Sequence, residues 1–287
     1  MEIAVISGKG GTGKSSISAA FASEHDKIVL ADCDVDAANL YIIFEPEITE
    51  KSSFIGAQKA EIDYSKCTNC GTCIDYCRFD AIKFDNGKVV INEIFCDGCK
   101  LCSRICPENA ISMIDNAESL LLSGNFRHGK MVYGRLAPGE ENSGRLVNLV
   151  RDKAKKIAEQ NNIETIIIDG PPGIGCPVIS TITGVDHVVV VTEPSLSGMH
   201  DLKRTLELTN SFNLKTWVII NKFDLNSEFS DKIVEYCNHE GIDVLAKLPY
   251  DKQIVDAMVN CKSITEYLPD AEISKIIKIA LNKIINF

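Results

Sequence analysis

No apolar run reaches 18 residues, so a membrane-spanning helix of ordinary length is not expected. No leader is expected either. The chain opens on the strand-like EIAVISG and passes straight into a glycine-rich loop, which makes the cytoplasm the expected compartment. Positive charge is in short supply: 30 Lys and Arg stand against 40 Asp and Glu, for a formal net charge of −10. Neutralising a phosphate backbone draws on Lys and Arg, so nucleic acid is not expected as a partner. Cysteine, by contrast, is plentiful, with 12 in 287 residues. In a chain without an export signal, that points to metal ligands or redox chemistry rather than structural disulfides. The remaining composition, 45% hydrophobic and 24% charged, is that of a globular chain with a sizeable core.

Short apolar runs recur along the chain. Ile3 to Ile6, Lys27 to Asp34, Met131 to Leu136, ETIIIDG, DHVVVVTEP, LKTWVIINK and IDVLAKLP read as strands. Helical patterns separate them, among them Lys14 to Glu24 and Ser197 to Phe212. Runs that are apolar on both faces predict a parallel sheet covered by helices on each side. Between Glu61 and Ile114 the periodicity fades and eight of the cysteines appear. The expectation is a doubly wound, mostly parallel α/β domain over residues 1–60 and 115–287, with a small α+β domain inserted over 61–114.

Gly8-Lys9-Gly10-Gly11-Thr12-Gly13-Lys14-Ser15 fits G-x-x-x-x-G-K-[ST], with a strand before it and a helix after it. Glycines at this spacing let backbone N–H groups converge on phosphate oxygens at the positive end of a helix. Lys14 is expected at the β- and γ-phosphates, and the Ser15 hydroxyl on Mg²⁺, with Ser16 beside the nucleotide. A glycine-rich turn of no function is the bland alternative, and strand, loop, Lys-Ser and helix together speak against it.

The run KGGTGKS, with its early Lys9, resembles the deviant phosphate loop of the MinD/ParA and nitrogenase iron-protein class. The resemblance implies that Lys9 reaches across a dimer interface to the partner's nucleotide. It also implies a role for Asp32-Cys33-Asp34, the D-x-D at the end of the second strand: Asp34 orients the attacking water and Asp32 lies near the metal. ETIIID ends in Asp169, the Walker B position, which would hold the Mg²⁺ hydration shell. Asp169-Gly-Pro-Pro-Gly173 follows as a switch-like loop. Asn221-Lys222-Phe223-Asp224 also looks like the N-K-x-D with which GTPases read guanine. In the resembled class the Asn reads adenine, and Leu248-Pro249-Tyr250-Asp251 lines the adenine pocket, so Asn221, Pro249 and ATP are expected together.

Cys67-x2-Cys70-x2-Cys73-x3-Cys77 is repeated as Cys96-x2-Cys99-x2-Cys102-x3-Cys106-Pro107. This is the spacing of bacterial two-cluster ferredoxins, in which the fourth cysteine of each run ligates the other cluster. The expected ligand sets are Cys67, Cys70, Cys73 with Cys106, and Cys96, Cys99, Cys102 with Cys77, each on a [4Fe-4S] cluster. The alternative is structural zinc, with four cysteines on one ion. Arg78 stands where Pro usually follows the fourth cysteine; it removes no ligand but changes the charge beside Cys77. Of the other four cysteines, Cys33 falls in a buried strand pattern, and Cys237 and Cys261 read as helix cysteines. Cys176 sits at the offset from Asp169 at which nitrogenase iron protein has a cluster cysteine. The second cysteine of that site is missing from the Pro-Gly-rich APGEENSGR segment, so both a packing role and a functional role remain open for Cys176.

Ile273, Ile276, Ile277, Ala280, Leu281, Ile284 and Ile285 recur at helical spacing near the end of the chain. A helix packed on the sheet is the expectation, and membrane contact through it, as MinD makes, the alternative. Motif by motif, the chain resembles MinD-superfamily ATPases with an inserted ferredoxin domain, which occur as homodimers or as heterodimers of paralogues. Three functions fit the resemblance: an ATP-gated electron carrier, an ATPase that assembles or delivers a metal cluster to a client metalloprotein, and a redox-sensing positioning ATPase. Eight ligands in the two-cluster pattern favour retained clusters, hence electron transfer.

Overall fold

A computed structural model of the protein describes residues 1–56, 58–140 and 142–287. In chain order its strands are β1 (Glu2–Ser7), β2 (Ile28–Asp32), β3 (Glu47–Phe54), β4 (Gln58–Ile62), β5 (Ile82–Asp85), β6 (Lys88–Ile91), β7 (Ile111–Asp115), β8 (Ser119–Phe126), β9 (Gly129–Arg135), β10 (Thr165–Pro172), β11 (His187–Thr192), β12 (Lys215–Asn221) and β13 (Asp243–Leu248). Nine form one sheet in the order β13-β12-β11-β1-β10-β2-β9-β8-β3. From β13 to β9 each neighbouring pair is parallel.

The central strands are buried because they are made of Ile and Val on both faces. Val188, Val189, Val190 and Val191 of β11 are all at 0% exposure, and each such side chain stabilises the fold by about 1.5–3 kcal/mol. A charge at Val189 would break this strand, having no partner in the core. Helices cover the sheet, including Lys14–Ala22, Leu196–Ser211 and Glu272–Ile285. The last of these packs its Ile273, Ile277, Ala280, Leu281 and Ile284 stripe inward, against β13 and the helix Lys14–Ala22. Among the described residues no helix is long and apolar enough to cross a membrane.

The parallel part of the sheet follows the apolar runs of the sequence, whereas β3 and β8 add to it without such a signal. Only Arg127 and His128 separate β8 from β9, and a connection that short joins antiparallel strands. β3 is exposed along all but its last residue and carries Glu47, Glu50 and Lys51. Charges of this kind suit an edge strand, which must not recruit another chain.

The chain divides into two compact units. The first comprises Met1–Lys51, Leu121–Gly134 and Gly144–Phe287; the second comprises Ser52–Leu120 and Arg135–Ser143. Residues 61–114 lie within the second. There β4 pairs antiparallel with β7 and β5 with β6, and two short helices, Thr72–Asp75 and Leu101–Ile105, follow the cysteine loops. The buried core of this unit is small: Ala60, Ile62, Cys73, Ala81, Ile82, Val89 and Ile111. A deep ion pair in it is Lys59–Glu140, at 3.6 Å, with the ammonium also donating to the Cys96 and Gly139 carbonyls at 2.8 Å. Cys237 lies in the helix Ser227–His239 and is buried. Cys261 departs from expectation: it follows the helix Gln253–Val259, in a left-handed conformation with φ 51°.

Candidate functional site

The phosphate loop leaves β1 after Ser7 and enters the helix at Lys14. Gly11 (φ 81°) and Gly13 (φ 93°) adopt the left-handed conformation that glycine tolerates without steric cost. The loop is backed at its two ends and open in the middle. A Cβ on Gly8 would lie 2.6 Å from Asp201 Cβ, and one on Gly13 would strike Asn221 Nδ2, while Cβ atoms on Gly10 and Gly11 would meet nothing. Thr12 Oγ1 is buried there without a hydrogen-bond partner. The open backbone at Gly10 and Gly11 fits an anion with several oxygens.

Two side chains at the end of β12 set the direction of the loop peptides. Asn221 Nδ2 donates to Thr12 O at 2.8 Å, and Lys222 Nζ donates to Gly11 O at 3.0 Å. In a trans peptide the C=O and the following N–H point in opposite directions. Holding the two carbonyls toward β12 therefore turns the N–H groups of Thr12 and Gly13 away from it. The Asn221 amide oxygen is engaged as well, accepting from Lys222 N at 3.0 Å. Asp224 does not face a base; its Oδ1 accepts from Tyr250 N at 2.7 Å. Next to these residues lies a cavity of about 170 Å³, lined by Gly13, Ser16, Ile17, Pro249 and Met258 among others, and Asp224 is not part of its wall.

Polar side chains converge on Asp169, which does not end its strand as expected: β10 continues through Gly170 and Pro171 to Pro172, where it still pairs with β1, so the expected switch loop begins later. Lys14 Nζ lies 3.0 Å from its Oδ1, Ser15 Oγ donates to its Oδ2 at 2.8 Å and Ser18 Oγ to its Oδ1 at 2.7 Å. Lys14 also reaches Asp34 at 3.5 Å. The β2–β10 register sets Asp32 directly beside Asp169. Asp32 is fully buried and accepts from the backbone N–H groups of Asp34, Asn39 and Leu40, so it anchors the loop that follows β2. Burial, reinforced by the Asp169 charge, raises the Asp32 pKa to about 7. Burial raises that of Asp34 as well. For Lys14, burial works against the charged form, but Asp169, Asp34 and Asp32 more than reverse it and its pKa is raised. Three carboxylates facing one ammonium leave a surplus of negative charge, which a divalent cation at Ser15 and Asp169 would offset.

Lys9 stays within its own chain in this conformation, 2.7 Å from Glu193 and donating to Ser197 Oγ at 2.8 Å. Ser18 and Glu193 escaped the motif reading, and Lys222 was named there only as part of the N-K-x-D match. Ser18 alone carried a local hint, as a buried hydroxyl one turn after Lys14 on an otherwise apolar helix face.

In the second unit the eight motif cysteines surround two cavities. One is lined by Cys67, Cys70, Cys73 and Cys106; the other by Cys77, Cys96, Cys99 and Cys102. All are free thiols. Burial raises the Cys73 pKa and takes that of Cys102 to about 11, while a hydrogen bond with Thr72 lowers that of Cys70. Cys106 Sγ accepts from Ala110 N at 3.3 Å. Among the described residues no three Cys, His, Asp or Glu side chains converge as a single metal ion requires. The thiols instead ring their cavities, a donor set suited to a larger, thiophilic group. Cys176 is exposed at the start of the helix Cys176–Ile182 in the first unit, and of the segment 137–145 Glu141 lies outside the described residues.

A family model described as the CobQ/CobB/MinD/ParA nucleotide binding domain matches residues 3–264. The chain belongs to this family. It therefore carries a MinD/ParA-like P-loop ATPase domain, as KGGTGKS implied. The Methanocaldococcus jannaschii protein MJ0578 is 37% identical over 230 residues, 79% of this chain and 80% of that one. MJ0579 of the same organism is 28% identical over 270 residues, 93% of this chain and 92% of its own length. The cell division ATPase MinD of Pyrococcus furiosus superposes with a TM-score of 0.59 at 17% identity, covering 99% of this chain and 98% of its own, a likeness of fold. Shorter matches include the pyruvate synthase subunit PorD of M. jannaschii, 36% identical over 25% of this chain and 88% of that subunit. Another is the iron-sulfur cluster carrier protein of Aquifex aeolicus, 25% identical over 40% of this chain and 35% of the carrier.

Proposed function

We propose that the protein binds and hydrolyses Mg-ATP as a dimeric nucleotide switch and couples its nucleotide state to electron transfer through two [4Fe-4S] clusters. The observation that carries this reading is the pair of cysteine cavities, each bordered by three thiols of one motif and the fourth of the other, in a chain that also holds a complete phosphate loop. Cys67, Cys70, Cys73 and Cys106 would hold one cluster, and Cys96, Cys99, Cys102 and Cys77 the second, over residues 61–114. When bound, such clusters supply one-electron carriers.

The chain's own residues do the rest. The N–H groups of Gly8 to Ser16 bind phosphate oxygens, and Lys14 neutralises the β- and γ-phosphates. Ser15 and Asp169 position Mg²⁺, with Asp32 holding the loop that carries Asp34. Asp34, beside Lys14 and only partly buried, orients the attacking water. Tyr250 N occupies one oxygen of Asp224, and Asp224 does not line the cavity beside the loop, which supports ATP over GTP; Asn221 and Pro249 flank the base. Lys9 must leave Glu193 to act on a second subunit, either a copy of this chain or a paralogue. The two M. jannaschii relatives are consistent with paired paralogues.

Anaerobic purification followed by metal and sulfide analysis tests the cluster half, with about eight iron and eight sulfide per chain expected. Stoichiometric zinc without sulfide after anaerobic reconstitution contradicts it. The partial likeness to the A. aeolicus carrier protein favours a second reading, cluster delivery to a client. Transfer of iron and sulfide to an apo-acceptor on ATP addition distinguishes delivery from retention.

A further inference from the structure

Glu193, three residues before the helix that begins at Leu196, plays no part in the roles above, yet it grips both Lys9 of the phosphate loop and Lys222 beside it. Its Oε1 lies 2.7 Å from Lys9 Nζ and its Oε2 3.3 Å from Lys222 Nζ. Lys222 is the residue that holds the Gly11 carbonyl. It does so from a left-handed backbone (φ 54°), a conformation that costs a non-glycine residue roughly 1 kcal/mol or more and persists where surrounding contacts enforce it. Partial burial alone would raise the Glu193 pKa; hydrogen bonds from Lys9 and Lys222 outweigh it and hold the pKa below the usual carboxylate range.

We propose that Glu193 is a positioning residue for nucleotide binding: by anchoring Lys222, and Lys9 at the start of the loop, it pre-forms the phosphate cradle before ATP arrives. The inference rests on the nucleotide reading above. It follows from the direction of the peptides. Without its anchor the Lys222 ammonium is free to swing on a four-carbon stem, and the Gly11 carbonyl is no longer held outward. The Thr12 N–H is then no longer aimed at a phosphate. A loop whose central glycines, Gly10 and Gly11, are backed by no neighbour has to be ordered by the ligand instead, which weakens affinity.

Electrostatics alone makes the opposite forecast, which gives the test its edge. Glu193, Lys9 and Lys222 together carry one net positive charge. Glu193→Gln raises it to two and by simple attraction would tighten the binding of a polyanion. A positioning role requires weaker binding. The experiment is calorimetric titration of the full-length, anaerobically purified protein with Mg-ATP for wild type, Glu193→Gln, Lys222→Met and the double variant. Wild type is expected to bind. Glu193→Gln is expected to raise the Kd about three- to tenfold, the loss of a partly exposed charged contact. The double variant is expected to be no weaker than Lys222→Met alone, because the effect runs largely through that lysine. Glu193→Asp, which keeps the charge, is expected to recover part of the loss. An unchanged or tighter Kd in Glu193→Gln overturns the inference, as does full additivity in the double variant. Absence of ATP binding by the wild type would instead overturn the nucleotide reading itself.

Discussion

In the first unit Lys14, Ser15 and Ser18 all converge on Asp169, and Lys9 and Lys222 on Glu193. In the second, eight thiols border two cavities, and the core behind them is seven buried residues, two of them alanine. The phosphate loop is thus shaped by bonds among its own side chains. The cysteine unit has little apolar area to offset its chain entropy, and the hydrogen bonds its thiols make, such as Ala110 N to Cys106 Sγ, are local ones. A site of the first kind is pre-organised and binds its ligand reversibly. One of the second kind is completed by its cofactor, whose binding free energy becomes folding free energy.

The largest test of this contrast is removal of the proposed clusters by chelation under oxidising conditions. Amides of residues 58–115 are expected to exchange on the order of 100-fold faster, while those of β1 and β10–β13 stay within about twofold. Equal protection in both units would erase the distinction. Next in size is Lys14→Ala, which is expected to weaken Mg-ATP binding on the order of 100-fold by calorimetry, as befits a buried charge-assisted contact. Iron content should not change. Loss of iron in that variant would tie the two units together more closely than their separate architectures imply.

A third test asks how far the first unit is held by its own charges. Glu266 binds Arg127 and His128 and accepts from Ser263 N at 2.8 Å. Burial tends to raise its pKa, but the hydrogen bonds from Arg127, Ser263 and His128 bring it down to about 2. A carboxylate depressed in the folded state contributes stability above its unfolded pKa of about 4.3 and loses it as pH falls toward the folded value. Glu266→Gln is expected to cost about 2 kcal/mol at pH 7 in urea denaturation and almost nothing near pH 2. The smallest effect belongs to Gly10→Ala. The new methyl meets no atom, so stability should stay within about 0.5 kcal/mol of wild type. Mg-ATP affinity should fall nonetheless, because the methyl occupies the cradle. Unchanged affinity would move the phosphate away from Gly10.

Much of this contrast could be read in the residues. β11 and β12 announced themselves as HVVVVT and KTWVIIN, because strands buried on both faces have no polar side to hide them. β3 did not: EITEKSSF is polar on both faces, and only its place at the edge makes it a strand. The cysteine spacing was legible because four short-range positions and one repeat define it. Glu193 was not, since its partners Lys9 and Lys222 lie far away in sequence and no spacing rule links them. Asn221 was read from its strand-end motif as a base-reading residue, and that motif gave no sign of its contact with Thr12 O.

The central claim is that nucleotide state and cluster redox state are linked through one chain. Linkage is reciprocal: a nucleotide that favours one conformation must shift the reduction equilibrium if reduction biases the same conformation. The direct measurement is an anaerobic EPR redox titration of the loaded protein with no nucleotide, with ADP and with a non-hydrolysable ATP analogue, repeated on Lys9→Ala. A reduction midpoint that shifts with the ATP analogue, and ceases to shift in Lys9→Ala, is the expected result. Identical midpoints in all three states, together with identical rates of oxidation by stopped flow, would contradict ATP-gated electron transfer and leave cluster delivery as the better account.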